Sequence, residues 1–179
     1  MSIPTLLCLS GSLRAAASST ATLNTAIEQL GARAECRRFD IGSLPHYNAD
    51  LQPVPDSAQA LIAEIAAADG LLIVTPEYNF SVPGVLKNAI DWASRPAYQS
   101  AFKGKKVFIA SVSGGALGGV RAQAHLKYIL DGMLAEFFTW QEVVITHATT
   151  KVENGRLKDE ATISFLMAGV NAFVDSLRK

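Results

Sequence analysis

The chain has 179 residues, in which 16 basic and 16 acidic side chains cancel, and 49% of the residues are apolar against 18% charged. The length is that of one ordinary domain of roughly 100 to 200 residues, so we expect residues 1–179 to form a single domain. The zero net charge argues against an extended basic surface for nucleic acid or an anionic membrane. The high apolar fraction favours self-association.

The sequence carries no signal for a membrane or a metal. No run approaches the roughly 18 consecutive apolar residues needed to cross a bilayer. The opening MSIPTLLCL has no basic segment and is predicted to be a strand and not a signal peptide, so we expect a cytoplasmic protein. Cys8 and Cys36 have no second cysteine or histidine at ligand spacing, so core packing is expected for both.

The apolar residues alternate along the chain between strand-like runs and helix-like stripes. Strands are predicted at residues 3–9, 35–40, 71–75, 105–111 and 143–145. Helices are predicted at about residues 18–30, 56–68, 83–94, 120–134 and 163–177. The segment 41–55 contains Gly42, Pro45, Pro53 and Pro55, so it is predicted to be a long loop.

Several element boundaries are marked by capping and breaking residues. Candidate N-caps carry a hydroxyl or a carboxylate: Ser18, Ser19 or Thr20 for the first helix, and Asp56 or Ser57 for the second. Pro83 is pre-set for the first turn of the third helix. Pro76 lacks an amide hydrogen, so we expect the third strand to stop before it.

This alternation predicts an α/β fold with a doubly wound parallel sheet and helices on both faces. The flavodoxin-like strand order 2-1-3-4-5 is favoured, because the longest or most glycine-rich loops follow the first, third and fourth strands, which are neighbours in that order. We therefore expect these three loops to meet at the carboxyl edge of a five-stranded sheet and to form one site.

The first of these loops, residues 10–20, contains a glycine and several hydroxyls. A glycine lets the backbone approach an anion and a helix N-terminus adds partial positive charge, so this segment suits a phosphate monoester. An ordinary hydroxyl-capped turn is the alternative. The segment lacks the glycine and lysine pattern of a Walker loop, which argues against nucleoside triphosphate hydrolysis.

The second loop lies in the stretch TPEYNFSVPGVLKNAIDW, residues 75–92. Its turn-forming residues should leave the backbone of residues 77–81 exposed beside the rings of Tyr78 and Phe80. Backbone donors and acceptors beside aromatic rings suit a flat heteroaromatic ligand, and a flavin is the obvious candidate. The third loop, VSGGALGG at 112–119, does not have the GxGxxG spacing, and its small residues either leave room for a ring system or form a flexible connection.

Hydrolytic chemistry is not favoured. His46, His125 and His147 are isolated, and none accompanies a serine nucleophile of the GxSxG kind. Glu77 and Asp91 are separated by a loop and two helical turns, so helix capping and solvent exposure are their expected roles.

Three motifs together resemble a known family: GSLR at 11–14, PEYN at 76–79 followed by SVPGVLKNAIDW, and GG-VR at 118–121. The chain is similar to the NADPH-dependent FMN reductases, in particular their quinone, azo-dye and chromate reductase branch. The resemblance implies a flavodoxin-like FMN-binding domain over residues 1–179. It also implies that NADPH or NADH gives a hydride to bound FMN, which then reduces a quinone, azo compound, chromate or free flavin by a ping-pong mechanism. The family forms homodimers or homotetramers.

The same resemblance implies a set of cofactor-binding residues. Those around the FMN phosphate would be Ser12, Leu13, Arg14, Ser18, Ser19 and Thr20. Those at the isoalloxazine edge would be Pro76, Glu77, Tyr78 and Asn79, with Ser113 and Gly114 flanking the ring. Thr20 stands where family members have asparagine, after one extra residue before Ser18. No catalytic side chain and no metal ligand is implied.

Two other functions remain open on sequence grounds. One is a two-component FMN reductase that releases reduced flavin to a monooxygenase, although relatives of that kind usually lack the PEYN segment. The other is a non-enzymatic electron carrier of the flavodoxin type, although such carriers are usually strongly acidic. The sequence does not distinguish NADPH from NADH, and Arg14 and Arg121 are candidate contacts for a 2′-phosphate.

Overall fold

The protein is described over residues 2–178 by a computed structural model. Its main sheet is parallel and has the order β2-β1-β3-β4-β5, with β6 also paired to β4. The strands are β1 Thr5–Ser10, β2 Glu35–Arg38, β3 Gly70–Pro76, β4 Lys106–Val112, β5 Glu136–Phe137 and β6 Val143–Ile145. The predicted flavodoxin-like order is therefore confirmed.

The fifth position of the sheet is divided between two short segments. β5 pairs with the start of β4, where Lys106 faces Glu136, and β6 pairs with its end, where Val112 faces Ile145. The prediction of a last strand at residues 143–145 is confirmed by β6, whereas β5 was not predicted.

Six α-helices accompany the strands within residues 2–178. Their bounds are α1 Ser18–Leu30, α2 Asp56–Ala67, α3 Gly84–Ala93, α4 Val120–Asp131, α5 Ala148–Lys151 and α6 Glu160–Leu177. Alternate residues of each central strand point to opposite faces, so Leu6 and Cys8 pack against α1 and α6 while Leu7 and Leu9 face α2 and α3. Both faces of the sheet are thus covered, which is why the central strands β1, β3 and β4 are nearly continuous apolar runs in the sequence.

The predicted N-caps of two helices are wrong. The N-cap of α1 is Ala17 and that of α2 is Pro55, and neither makes a side-chain capping bond. The first turn of α1 contains Ser18, Ser19 and Thr20. A side chain caps a helix from the residue before its first turn, so these hydroxyls are not in position to accept the unpaired N–H groups of the helix start.

Pro76 does not stop the third strand, because it is the last residue of β3 and pairs with Val112 of β4. β1 ends opposite Val74, so the missing amide hydrogen of Pro76 breaks no bond on that side of the strand. β3 therefore extends two residues beyond the end of β1 at the carboxyl edge of the sheet.

A small antiparallel hairpin precedes the last helix and was not predicted. Its strands are β7 Val152–Glu153 and β8 Arg156–Leu157, and the turn residues Asn154 and Gly155 both have positive φ. The Asn-Gly pair is the strongest short-range hairpin signal, but strands of two residues leave no alternating pattern to detect. Within residues 2–178, no helix has the length and apolar character needed to span a membrane.

Candidate functional site

The loop after β1 packs closely against the end of β3. The N–H of Gly11 donates to the carbonyl of Val74 over 2.9 Å. A Cβ atom on Gly11 would lie 2.8 Å from Oγ1 of Thr75 and 3.0 Å from Cδ of Pro76. Because any larger residue would push the two segments apart, glycine is required here for the first two loops to meet.

The first turn of α1 offers backbone N–H groups that its N-cap does not satisfy. Ala17 has no side-chain acceptor, and no side-chain capping bond is present at this helix start in the described chain. The hydroxyls of Ser19 and Thr20 lie 3.1 and 3.0 Å from Oγ of Ser10, which fixes the helix to the end of β1. Free N–H groups at a helix N-terminus favour a bound anion such as a phosphate.

The second loop contains a tight turn at residues 78–81. The N–H of Tyr78 donates to the carbonyl of Ser81, and the reverse bond is also made, each at 3.1 Å. Asn79 and Phe80 between them have φ values of 48° and 67°, as in a type I′ turn. The hydroxyl of Tyr78 lies 2.9 Å from Oγ of Ser12, so a hydrogen bond joins the first loop to the second.

Glu77 joins the second loop to the start of α4. Its Oε2 accepts the N–H groups of Arg121 and Ala122 at 3.1 and 3.3 Å, and its Oε1 lies 2.8 Å from Nε of Arg121. The helix needs this external cap because its own N-cap, Gly119, has no side chain. Burial raises the pKa of Glu77, but the hydrogen bonds from Arg121 and Ala122 outweigh it and hold that pKa below its ordinary value. Glu77 caps a helix as expected, but that helix is α4 and not α3, which follows Glu77 in the sequence. The expected exposure is wrong, because this side chain is only 9% exposed.

The third loop is bonded to the segment that follows β6. The N–H of Ser113 donates to the carbonyl of Ile145 at 3.0 Å, and the carbonyl of Ser113 accepts the N–H of Ala148 at 3.0 Å. The backbone N–H of His147 donates to the carbonyl of Gly115 at 3.1 Å. These bonds make the loop a fixed wall and not a flexible connection.

The three loops enclose a cavity of about 300 Å³ at the carboxyl edge of the sheet. Most of the predicted cofactor-binding residues line it: Ser12, Arg14, Ser18, Ser19, Pro76, Glu77, Tyr78, Ser113 and Gly114. We call this space the switch-point cavity, because it lies where the chain order of the sheet reverses between β1 and β3. Ligand sites of open α/β sheets lie at this position.

Three predicted residues lie outside the switch-point cavity. Leu13 and Thr20 line a neighbouring cavity, and Asn79 lies at the exposed turn of the second loop. The structure adds Ala17, Val112 and Thr149 to the lining. Thr149 could have been suspected, because it follows the last predicted strand and so had to lie near the same edge of the sheet.

The lining of the switch-point cavity fits a flavin mononucleotide. The uncapped start of α1, with the hydroxyls of Ser18 and Ser19 and the guanidinium of Arg14, suits a phosphate. The ring of Tyr78 and the small residues Ser113 and Gly114 provide walls for a flat ring system. Nδ1 of His125 lies 2.9 Å from Oγ of Ser81, but neither residue lines the cavity.

Comparison with known proteins gives consistent matches over most of the chain. The sequence matches the NADPH-dependent FMN reductase family over residues 4–150. It is 43% identical over 141 residues to a 2-hydroxy-1,4-benzoquinone reductase of Burkholderia sp., covering 78% of this chain and 77% of the relative. It is 40% identical over 158 residues to an NAD(P)H-dependent FMN reductase of Pseudomonas aeruginosa, covering 87% and 85%. The fold matches FerB, a flavoenzyme NAD(P)H:(acceptor) oxidoreductase from Paracoccus denitrificans, with a TM-score of 0.89 and 38% identity, covering 98% and 97%.

Proposed function

The chain belongs to the NADPH-dependent FMN reductase family, as its GSLR and PEYN motifs predicted, and from this premise we propose that it is an FMN-dependent NAD(P)H:quinone oxidoreductase. The proposal is supported by the switch-point cavity, in which the uncapped start of α1 lies beside a slot lined by Tyr78 and Gly114. A quinone is the acceptor of the Burkholderia relative, which supports a quinone here. Azo compounds, chromate and free flavin are further candidate acceptors.

Each part of the cavity has a role in this proposal. Bound FMN supplies a ring that accepts a hydride and passes on one or two electrons. The N–H groups at the start of α1, with Ser18 and Ser19, hold its phosphate. Pro76 and Glu77 present backbone groups to the edge of the ring, Asn79 lies just beyond them at the exposed turn, and Ser113 and Gly114 flank the ring. Donors aimed at the ring edge stabilise the negative charge that reduction creates there.

The protein has no need of an acid or base side chain in this scheme. The nicotinamide and the acceptor would use the same side of the switch-point cavity in turn, which is a ping-pong mechanism. The side chain of Tyr78 is 43% exposed and that of Phe80 is 67% exposed, so flat aromatic substrates have apolar surface to stack upon at the second loop. The bond from Ser12 to the hydroxyl of Tyr78 orients one of these rings.

We also propose that the protein self-associates as a homodimer or homotetramer. Leu117 and Tyr128 are 53% and 83% exposed, and they lie on the third loop and on α4. Covering these side chains in a second copy would remove apolar surface from water. Light scattering on the purified protein tests this proposal, and a mass of one chain at micromolar concentration would reject it.

Anaerobic titration with NADPH and NADH tests the proposed activity. We expect at least one nicotinamide to bleach the visible absorption of the FMN-loaded protein within the dead time of manual mixing, and a quinone to restore it. Initial rates at several quinone concentrations should give parallel double-reciprocal lines. A flavin that stays oxidised with both nicotinamides would instead indicate an electron carrier. Loss of FMN from the protein after each reduction would indicate a two-component flavin supplier.

A further inference from the structure

A second cavity, of about 480 Å³, lies beside the switch-point cavity on its β2 side. It is formed between the loop after β1 and the segment 38–42 that follows β2. Ser12 and Arg14 line both cavities. A ligand that extends out of the switch-point cavity past Arg14 therefore enters this second space, which we call the β2 cavity.

The β2 cavity contains guanidinium groups that carboxylates do not neutralise. Most arginines of the described chain lie within 4 Å of a carboxylate oxygen: Arg33, Arg37, Arg121, Arg156 and Arg178. Three arginines within residues 2–178 have no such partner: Arg95 donates to the hydroxyl of Tyr47, whereas Arg14 and Arg38 both line the β2 cavity. Arg38 donates instead to the neutral amide oxygen of Asn24, which positions its guanidinium without cancelling its charge.

The rest of the lining suits a nucleoside better than an inorganic ion. Leu13 and Phe39 provide apolar and aromatic surface on which a purine ring would pack. Asp40 is the carboxylate of the cavity, and its Oδ1 accepts the N–H of Gly42 at 2.9 Å. Its other oxygen is an acceptor for a sugar hydroxyl. Two guanidinium groups against one carboxylate leave the cavity with a net positive charge.

We propose that the β2 cavity binds the adenosine 2′-phosphate end of NADPH, with Arg38 as the residue that distinguishes NADPH from NADH. This inference rests on the proposed function, because the nicotinamide end must then lie in the switch-point cavity. Arg14 lines both cavities and faces the flavin phosphate, whereas Arg38 lines only the β2 cavity and would meet the 2′-phosphate. Arg121, the other candidate suggested by the sequence, is bonded to Glu77 and is not available.

Calorimetric titration with fragments of the cofactor tests this proposal without any turnover. The FMN-loaded protein should bind adenosine 2′,5′-bisphosphate at least tenfold more tightly than adenosine 5′-monophosphate, since a charge-assisted contact to a phosphate is a strong one. Arg38→Ala should abolish this difference. Arg37→Ala is the matched control, because Arg37 is next in sequence and pairs with Glu35 outside the cavity. Equal binding of the two nucleotides, or an equal loss in both variants, would overturn the proposal.

Kinetics and flavin content separate this inference from the proposed function. Arg38→Ala should raise the KM for NADPH about tenfold and change kcat/KM for NADH less than twofold, with full FMN content. A loss of FMN from this variant would overturn the inference, because the cavity would then hold the flavin phosphate. If wild type binds no FMN, the proposed function fails, and the same fragment titration on the flavin-free protein still decides whether Arg38 selects a 2′-phosphate.

Discussion

Both guanidinium nitrogens of Arg121 that face Glu77 contact the same carboxylate oxygen, with Nε at 2.8 Å and Nη2 at 2.7 Å from Oε1. The second oxygen of Glu77 accepts two backbone N–H groups at the start of α4. The guanidinium carbon of Arg121 lies 4.4 Å from the centre of the Phe80 ring. A single carboxylate thus connects the end of β3 and the turn at residues 78–81 to the start of α4.

Removal of the Glu77 carboxylate should therefore destabilise the fold. Glu77→Ala removes the helix cap together with the ion pair, and we expect it to lower the free energy of unfolding by about 2 to 3 kcal/mol. Glu77→Gln retains an acceptor for the helix N–H groups, so its cost should be about 1 kcal/mol. Urea unfolding followed by circular dichroism measures both values.

Glu142→Gln provides the control for Glu77. The Lys127–Glu142 pair is short, at 2.6 Å, but its side chains are 40% and 51% exposed, so its removal should cost less than about 0.5 kcal/mol. If Glu142→Gln lowered the free energy of unfolding as much as Glu77→Ala, the loss in Glu77→Ala would come from the change in charge and not from the missing helix cap.

The stability of the wild type should depend on pH through Glu77. Because the pKa of this group is lower in the folded protein than its ordinary value of 4.5, the folded state binds fewer protons than the unfolded state as pH falls through this range. The stabilisation is complete above about pH 5.5 and is lost as pH falls through the lowered folded-state pKa. The stability difference between wild type and Glu77→Gln should therefore shrink between about pH 5 and pH 3, and a constant difference would contradict the assignment.

Gly11→Ala should disturb the contact between the first two loops. The new Cβ would lie 2.8 Å from Oγ1 of Thr75, so the loop or the end of β3 must shift. We expect FMN affinity to fall at least tenfold, measured by quenching of flavin fluorescence. Gly84→Ala is the matched control, because nothing lies within 4 Å of its Cβ position, and it should leave FMN affinity unchanged. Equal affinities in the two variants would show that the first loop tolerates displacement.

Tyr78→Phe removes the hydrogen bond between the first and second loops and leaves the ring in place. A neutral hydrogen bond contributes about 1 kcal/mol, so FMN should bind about fivefold more weakly if this bond orders the cavity. Tyr98→Phe, at an exposed position outside the cavity, should have no effect. A Tyr78→Phe variant with wild-type affinity would show that the ring alone positions the second loop.

The sequence was most informative where one physical requirement determines the pattern. Buried central strands must be apolar on both faces, so residues 71–75 and 105–111 were recognisable from composition alone. Glycine-rich and hydroxyl-rich loops after such strands then had to meet at one edge. For this reason most residues of the switch-point cavity could be named before their geometry was known.

Features that depend on contacts between residues far apart in the sequence could not be predicted from it. Glu77 and Arg121 are separated by 44 positions, and nothing near either residue indicates the other. β5 has two residues, too few to produce a pattern. Alanine is a poor N-cap residue, yet Ala17 is the N-cap of α1. It leaves N–H groups free at the place where a phosphate is expected. Those free groups are the ones that we propose to bind the phosphate.

Titration of the purified, flavin-free protein with FMN, followed by quenching of flavin fluorescence, tests the central claim most directly. If the three loops form one flavin site, quenching saturates at one FMN per chain with a dissociation constant in the micromolar range or below. Riboflavin, which lacks the phosphate, should then bind at least a hundredfold more weakly. Absence of saturable quenching, or equal affinity for riboflavin and FMN, would contradict the account.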